Sequence, residues 1–163
     1  ATLPPAQERV VQSTTIEMES FLAGAKATPA TVELTTQDGR WSGGKQLFAP
    51  FKAPDGKLTL PFKVEKDTSG LAQLKLTRSW DYGIWKVSLD GKVLKGLAKS
   101  DLYNPSVKPT DSKVGYIELT AGQHELTFEC LGKNPDSKGY CLGVDAIEVE
   151  HLTPYADTAQ AKK

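Results

Sequence analysis

Apolar residues recur at every second position along most of this chain, and that period sets its elements. Leu58, Leu60, Phe62 and Val64 alternate with Thr59, Pro61, Lys63 and Glu65, as in a strand with one buried face. Leu74 and Leu76 alternate with Lys75 and Thr77, and Leu126, Phe128 and Cys130 with Thr127 and Glu129. Trp85, Val87 and Leu89 alternate with Lys86, Ser88 and Asp90, and Asp90-Gly91 then predicts a tight hairpin turn. Shorter strands are expected at 15–19, 31–36, 46–51 and 116–119, with a closing strand over 142–149. No segment sustains an apolar period of 3.6, and turn residues recur every ten positions or so. The fold class this predicts is all-β, an antiparallel two-sheet jelly-roll sandwich of about nine strands.

Acidic residues change the picture at the two ends of that fold. Glu17 and Glu19 lie two apart in the expected first strand and so share a face. On the last strand Asp145 falls in phase with Cys141, Ile147 and Val149, which aims it inward. A core-side carboxylate is costly unless it is paired or coordinates a metal. The leading reading is therefore a first and a last strand meeting over a hard cation. The competing one makes Glu17 and Glu19 a solvated strand face and has Asp145 accept hydrogen bonds from backbone amides.

The 163 residues suffice for one domain with its own core. We expect an N-terminal extension over 1–13, a sandwich over 14–152 and a tail or linker over 153–163. Lys and Arg number 20 against 20 Asp and Glu, which leaves no electrostatic footprint for nucleic acid or an anionic membrane. No apolar run approaches the roughly 20 residues of a bilayer span. The chain opens on Ala1 without an initiator Met, which reads as a processed or excised fragment and fits a secreted or periplasmic protein. Cys130 and Cys141 flank a turn-rich stretch in what should be a hairpin. A cross-hairpin disulfide and two buried thiols both fit, and secretion favours the bond.

Three loops stand out: the long 95–115 segment, the 132–140 segment, and the Ser79-Trp80-Asp81-Tyr82-Gly83 apex between two strong strands. Catalytic motifs are missing. Ser42-Gly43-Gly44-Lys45 lacks the spacing of a phosphate loop, and His124 and His151 lie too far apart for a zinc cluster. No nucleophile elbow occurs. Acidic residues are plentiful enough for a glycosidase-type carboxylate pair, but a small, nearly all-strand chain without signs of a deep cleft is not expected to be an enzyme.

The order of motifs carries a resemblance. An E-x-E first strand precedes Trp41-Ser42-Gly43-Gly44, then strands leading to Leu89-Asp90-Gly91-Lys92, then Leu119-Thr120-Ala121-Gly122-Gln123-His124-Glu125-Leu126-Thr127-Phe128, and finally Leu142-Gly143-Val144-Asp145-Ala146-Ile147. Over about residues 14–150 this resembles the galactose-binding-like β-sandwiches, in particular carbohydrate-binding modules of families 6 and 35. The resemblance implies a jelly roll whose first and last strands share a structural Ca²⁺. Its ligands would match Glu17, Glu19 and Asp145, with a backbone carbonyl from the turn at Arg40. It also implies a noncatalytic module that targets an attached or partner enzyme to a polysaccharide or oligosaccharide. Trp41, Trp80, Asp81 and Tyr82 match the sugar-binding loop positions, with Tyr103, Asn104, Asn134 and Tyr140 as further candidates. The departure is at Gly143-Val144, where such modules often carry a ligand-binding Asn. The expected protein is a monomer, with no nucleic-acid or membrane partner. The alternative function is a structural or protein-interaction sandwich that binds no free glycan.

Overall fold

The computed structural model describes residues 9–154, and the remainder of the expected extension and tail lies outside them. The strands are β1 (Arg9–Glu17), β2 (Lys26–Thr28), β3 (Thr35–Asp38), β4 (Lys45–Ala49), β5 (Lys57–Val64) and β6 (Thr68–Arg78). They continue as β7 (Ile84–Leu89), β8 (Lys92–Val93), β9 (Ser100–Asp101), β10 (Lys108–Leu119), β11 (Gly122–Gly132) and β12 (Leu142–Pro154). They form two six-stranded antiparallel sheets. One runs β10-β6-β12-β4-β3 with β1 also paired to β12; the other runs β2-β5-β11-β7-β8 with β9 on β7.

The alternation in the sequence becomes the core between the sheets. Leu58, Leu60, Phe62 and Val64 of β5 are buried while Lys63 and Glu65 face water. Pro61 is tolerated because β2 pairs only with Lys57–Thr59, so beyond that point β5 is an edge, where a missing N–H costs no ladder bond. Trp85 is fully buried, as its in-phase position predicts; its ring packs 5.1 Å from that of Phe51 and its Nε1 donates to the Cys141 carbonyl at 3.3 Å. Asp90 and Gly91 both take positive φ at the β7–β8 turn, the geometry that favours this dipeptide in two-residue hairpins.

Several expectations are corrected. The chain crosses from one sheet to the other between β11 and β12. Cys130 and Cys141 therefore do not flank a hairpin, and both are free thiols. The loop expected over 95–115 instead holds β9 and residues 108–115 of β10. The first strand ends at Glu17, and Glu19 sits in the 3-10 segment Met18–Gly24. β1 also starts earlier than expected, with Arg9 opposite Pro154.

The inward phase of Asp145 fails too. In β12, Val144 pairs with Leu76 and Ile147 with Leu74, and the ladder shifts register between Val144 and Ala146. That β-bulge puts two residues where alternation allows one, so Asp145 does not share the face of Ile147 and Val149. Bulges re-aim a side chain in this way. Here it is aimed at the end of β1 and the turn before β4.

Candidate functional site

Three carboxylates meet where β1, β12 and the turn before β4 come together. One oxygen each from Glu17, Glu19 and Asp145 lies within 4.8 Å of the others. Glu17 arrives at the end of its strand and Glu19 on the 3-10 turn that follows. Asp145 comes from the bulge and is only 4% exposed. Ser42 closes the group: its N–H donates to Asp145 Oδ2 at 3.0 Å and its hydroxyl donates to Glu17 Oε1. Gly43 adopts φ +67°, and a Cβ there would lie 3.3 Å from Glu19 Oε1. A side chain at 43 would thus be strained and would crowd the cluster.

Glu17 Oε2, Glu19 Oε2 and Asp145 Oδ1 are buried with no hydrogen-bond partner. Burial, reinforced by the neighbouring Glu17 charge, pushes the Asp145 carboxyl up to about 6, against the pull of the Ser42 amide and Lys75. Glu19 is raised as well, chiefly by burial and then by Glu17 and Asp145. Three mutually repelling carboxylates with orphaned oxygens form an incomplete set that a hard cation would complete. An all-oxygen donor set of this kind fits Ca²⁺. Arg40 stands exposed in the same turn, two residues before Ser42.

A second assembly lies at the end of the sandwich where the loops meet. Residues 79–83, between β6 and β7, are knitted to 100–104 on one side. Ser79 N–H donates to the Leu102 carbonyl at 3.0 Å, Leu102 N–H to Gly83 at 3.1 Å, and Asn104 N–H to Ser79 at 3.1 Å. On the other side Lys138 N–H donates to the Trp80 carbonyl and Cys141 N–H to that of Asp81, both at 2.9 Å. The buried Ser137 hydroxyl donates to the Tyr82 carbonyl at 2.7 Å. Trp80 stands 50% exposed on this braced backbone.

The fold thus brings Trp80, Asp81, Tyr103, Asn104, Asn134 and Tyr140 onto one set of interlocked loops, each at least partly exposed. Asn134 Nδ2 donates to Asp101 Oδ2 at 2.9 Å, and Asn104 Nδ2 to the Ser106 carbonyl at 2.7 Å. Tyr82 is a correction. Its ring is 3% exposed and packs 6.2 Å from Phe48, with its hydroxyl accepting from Gln46 Nε2. A ring so enclosed has no free face for a ligand. Trp41 lies half-buried on the turn of the acidic cluster, and its Nε1 donates to Thr77 Oγ1 at 2.7 Å. Gly143 offers no ligand group; a Cβ there would collide with Gln46 and with the Tyr82 hydroxyl.

Sequence reasoning missed Ser42, Asp101 and Ser137. Asp101 accepts from Tyr103 N–H at 3.0 Å as well as from Asn134. An Asp two residues before a loop aromatic is a weak signal for such a turn. A serine that braces a loop 55 positions away in the chain leaves no mark in the sequence.

No protein-family profile and no curated protein sequence matches this chain. Among solved structures, a Paenibacillus xanthan lyase is similar over 81% of this chain, at 20% identity and a TM-score of 0.60. The chain spans 13% of that enzyme's length. This likeness shows a shared fold. The C-terminal family 6 carbohydrate-binding module of a marine laminarinase from Zobellia galactanivorans is 14% identical, with 87% of this chain and 99% of that one covered and a TM-score of 0.47. A family 35 module from Clostridium thermocellum is 13% identical, with 86% and 98% covered and a TM-score of 0.44.

Proposed function

We propose that this chain is a noncatalytic carbohydrate-binding module that directs an attached or partner enzyme to a polysaccharide. The observation that carries the reading is Trp80, a large exposed aromatic held on a loop whose carbonyls are bonded from both sides. A pyranose presents an apolar C–H face that stacks on such a ring, and burial of that face supplies affinity. The braced backbone means that little ordering entropy is lost on binding. Asp81, Tyr103 and Tyr140 lie on the same interlocked loops and would orient hydroxyls. The site is shallow, so affinity should be modest and gained by repetition along a chain.

Glu17, Glu19 and Asp145 would hold a structural Ca²⁺, with the Arg40 carbonyl as a further donor. The ion would supply the positive charge that this cluster of three carboxylates lacks. Its role is to tie the start of the fold to its end, away from the sugar. A secreted or periplasmic location and a monomeric state go with this reading.

One observation favours the alternative, a structural or protein-interaction sandwich. Asn104 and Asn134 already spend side-chain donors on Ser106 and Asp101, which leaves fewer polar groups for a ligand. A pull-down against a panel of insoluble and immobilised polysaccharides, with wild type and Trp80→Ala, separates the two. Retention of wild type and loss of Trp80→Ala supports the module; no retention on any polysaccharide favours the interaction domain.

A further inference from the structure

We infer that the turn holding the acidic cluster and the loop carrying Trp80 form one coupled unit, joined by a buried polar relay of Trp41, Thr77, Gln46 and Tyr82. The inference rests on the reading of the cluster as a Ca²⁺ site. Trp41 directly precedes Ser42, whose N–H and hydroxyl bond to Asp145 and Glu17. Tyr82 lies two residues beyond Trp80 in the apical loop. Between them, Trp41 Nε1 donates to Thr77 Oγ1 at 2.7 Å, and the Thr77 hydroxyl donates to Gln46 Oε1 at 2.6 Å. Gln46 Nε2 then donates to the Tyr82 hydroxyl at 3.0 Å and to Gln37 Oε1 at 2.9 Å.

The direction of the relay is fixed by its first member. An indole N–H can only donate, so the single Thr77 proton must go onward to Gln46. That sets which end of the Gln46 amide faces Thr77 and which faces Tyr82. Thr77 and Gln46 are fully buried and Tyr82 nearly so, where an unpaired polar group costs most. The space for the relay exists only because position 143 has no side chain. A Cβ on Gly143 would stand 2.3 Å from Gln46 Oε1 and 2.6 Å from the Tyr82 hydroxyl.

A cation held by Glu17, Glu19 and Asp145 favours one placement of Ser42, hence of Trp41, and through the relay of Tyr82 and the loop that presents Trp80. Such coupling is reciprocal: whatever frees the apical loop weakens the metal site by the same factor. Thr77 and Gln46 touch neither metal nor sugar and act as positioning residues.

Titration calorimetry with CaCl2 alone tests this on wild type, Thr77→Val, Thr77→Ser and Tyr82→Phe, alongside amide and indole N–H spectra with and without Ca²⁺. In wild type, Ca²⁺ should shift the indole resonances of both Trp41 and Trp80 and the amides of Tyr82 and Gly83. Thr77→Val and Tyr82→Phe should raise the Ca²⁺ Kd about fivefold or more, in the usual range of coupling between sites. Both should also uncouple the Trp80 resonance from Ca²⁺, while Thr77→Ser, which keeps the hydroxyl, restores wild-type behaviour. If Thr77→Val fails to fold, Tyr82→Phe, which removes one oxygen at the far end of the relay, carries the test. Wild-type Ca²⁺ binding with unchanged Kd and unchanged Trp80 response in the folded variants overturns the coupling alone. No Ca²⁺ binding by wild type overturns the metal reading and the coupling with it.

Discussion

Replacing Asp145 with Asn should have opposite effects on stability with and without Ca²⁺. Asp145 is 4% exposed, and burial raises its carboxyl from 3.8 to about 6. Each tenfold change in an ionisation equilibrium is worth about 1.4 kcal/mol. Holding this group charged at pH 7 therefore costs the fold up to about 3 kcal/mol. The sign follows from the raised value. The contribution to stability is full below the ordinary carboxyl range and is lost as pH rises through about 6. Asn keeps an oxygen for the Ser42 amide, and its new N–H group can donate to the unpaired oxygen of Glu17 or Glu19. In EGTA at pH 7 the variant should thus be more stable than wild type, by about 1–3 kcal/mol once imperfect geometry is discounted. At about 2–4 °C per kcal/mol for a chain of this size, the melting temperature rises by roughly 2–12 °C. Near pH 4 the gain should vanish. In millimolar Ca²⁺ the order should reverse, because the variant has lost a ligand. Scanning calorimetry at pH 7 in EGTA, at pH 7 in Ca²⁺ and near pH 4 reads all of this. A variant destabilised equally in EGTA and in Ca²⁺ would mean that Asp145 is an ordinary hydrogen-bonded carboxylate, and the reasoning fails.

Wild type itself should respond to chelation. At a free Ca²⁺ concentration of about 100 times Kd, linkage supplies about 2.7 kcal/mol, so EGTA should lower the melting temperature by roughly 5–11 °C and excess Ca²⁺ restore it. His124 offers a second, independent pH signal. Its Nδ1 lies 2.6 Å from Asp90 Oδ2 and its Nε2 2.7 Å from the Thr120 carbonyl, so both ring nitrogens face acceptors and the protonated ring is favoured. Burial lowers its pKa, but the Asp90 and Thr120 bonds outweigh burial and raise it above 6.5. This stability is present below the ordinary histidine range and lost as pH rises through the raised value. Since Asp90 is largely solvated, the loss should be only about 1 kcal/mol, and a His124→Gln variant melted from pH 5.5 to 8.5 in EGTA should lack it.

The sandwich was legible because burial on one face of a strand writes a period of two, and β5, β6, β7 and β11 all carry it. The acidic cluster was legible as a set, although two of the reasons were wrong. Glu19 is on a 3-10 turn, and Asp145 is turned out by a bulge. A bulge adds one residue to one strand, and no residue type marks it. The hairpin expected around Cys130 and Cys141 failed because a turn-rich stretch reads alike whether it joins neighbours in one sheet or crosses between sheets. Tyr82 was misplaced for a related reason. Trp80, Asp81 and Tyr82 are adjacent in sequence, but the backbone is paired on both sides there, which leaves Trp80 outside and sends Tyr82 to Gln46. Gln46 and Thr77 looked like ordinary strand residues, since the partners that give them meaning lie 31 or 36 positions away.

The most direct test is a crystal structure grown with CaCl2 and an oligosaccharide drawn from whichever polysaccharide retains the protein, with anomalous data collected for calcium. The account predicts an anomalous peak among Glu17, Glu19 and Asp145, at about 2.3–2.6 Å from their oxygens. It also predicts a sugar ring stacked on Trp80, away from that ion. Carboxylates bonded only to protein donors, or an oligosaccharide seated somewhere other than the Trp80 loops, would contradict it.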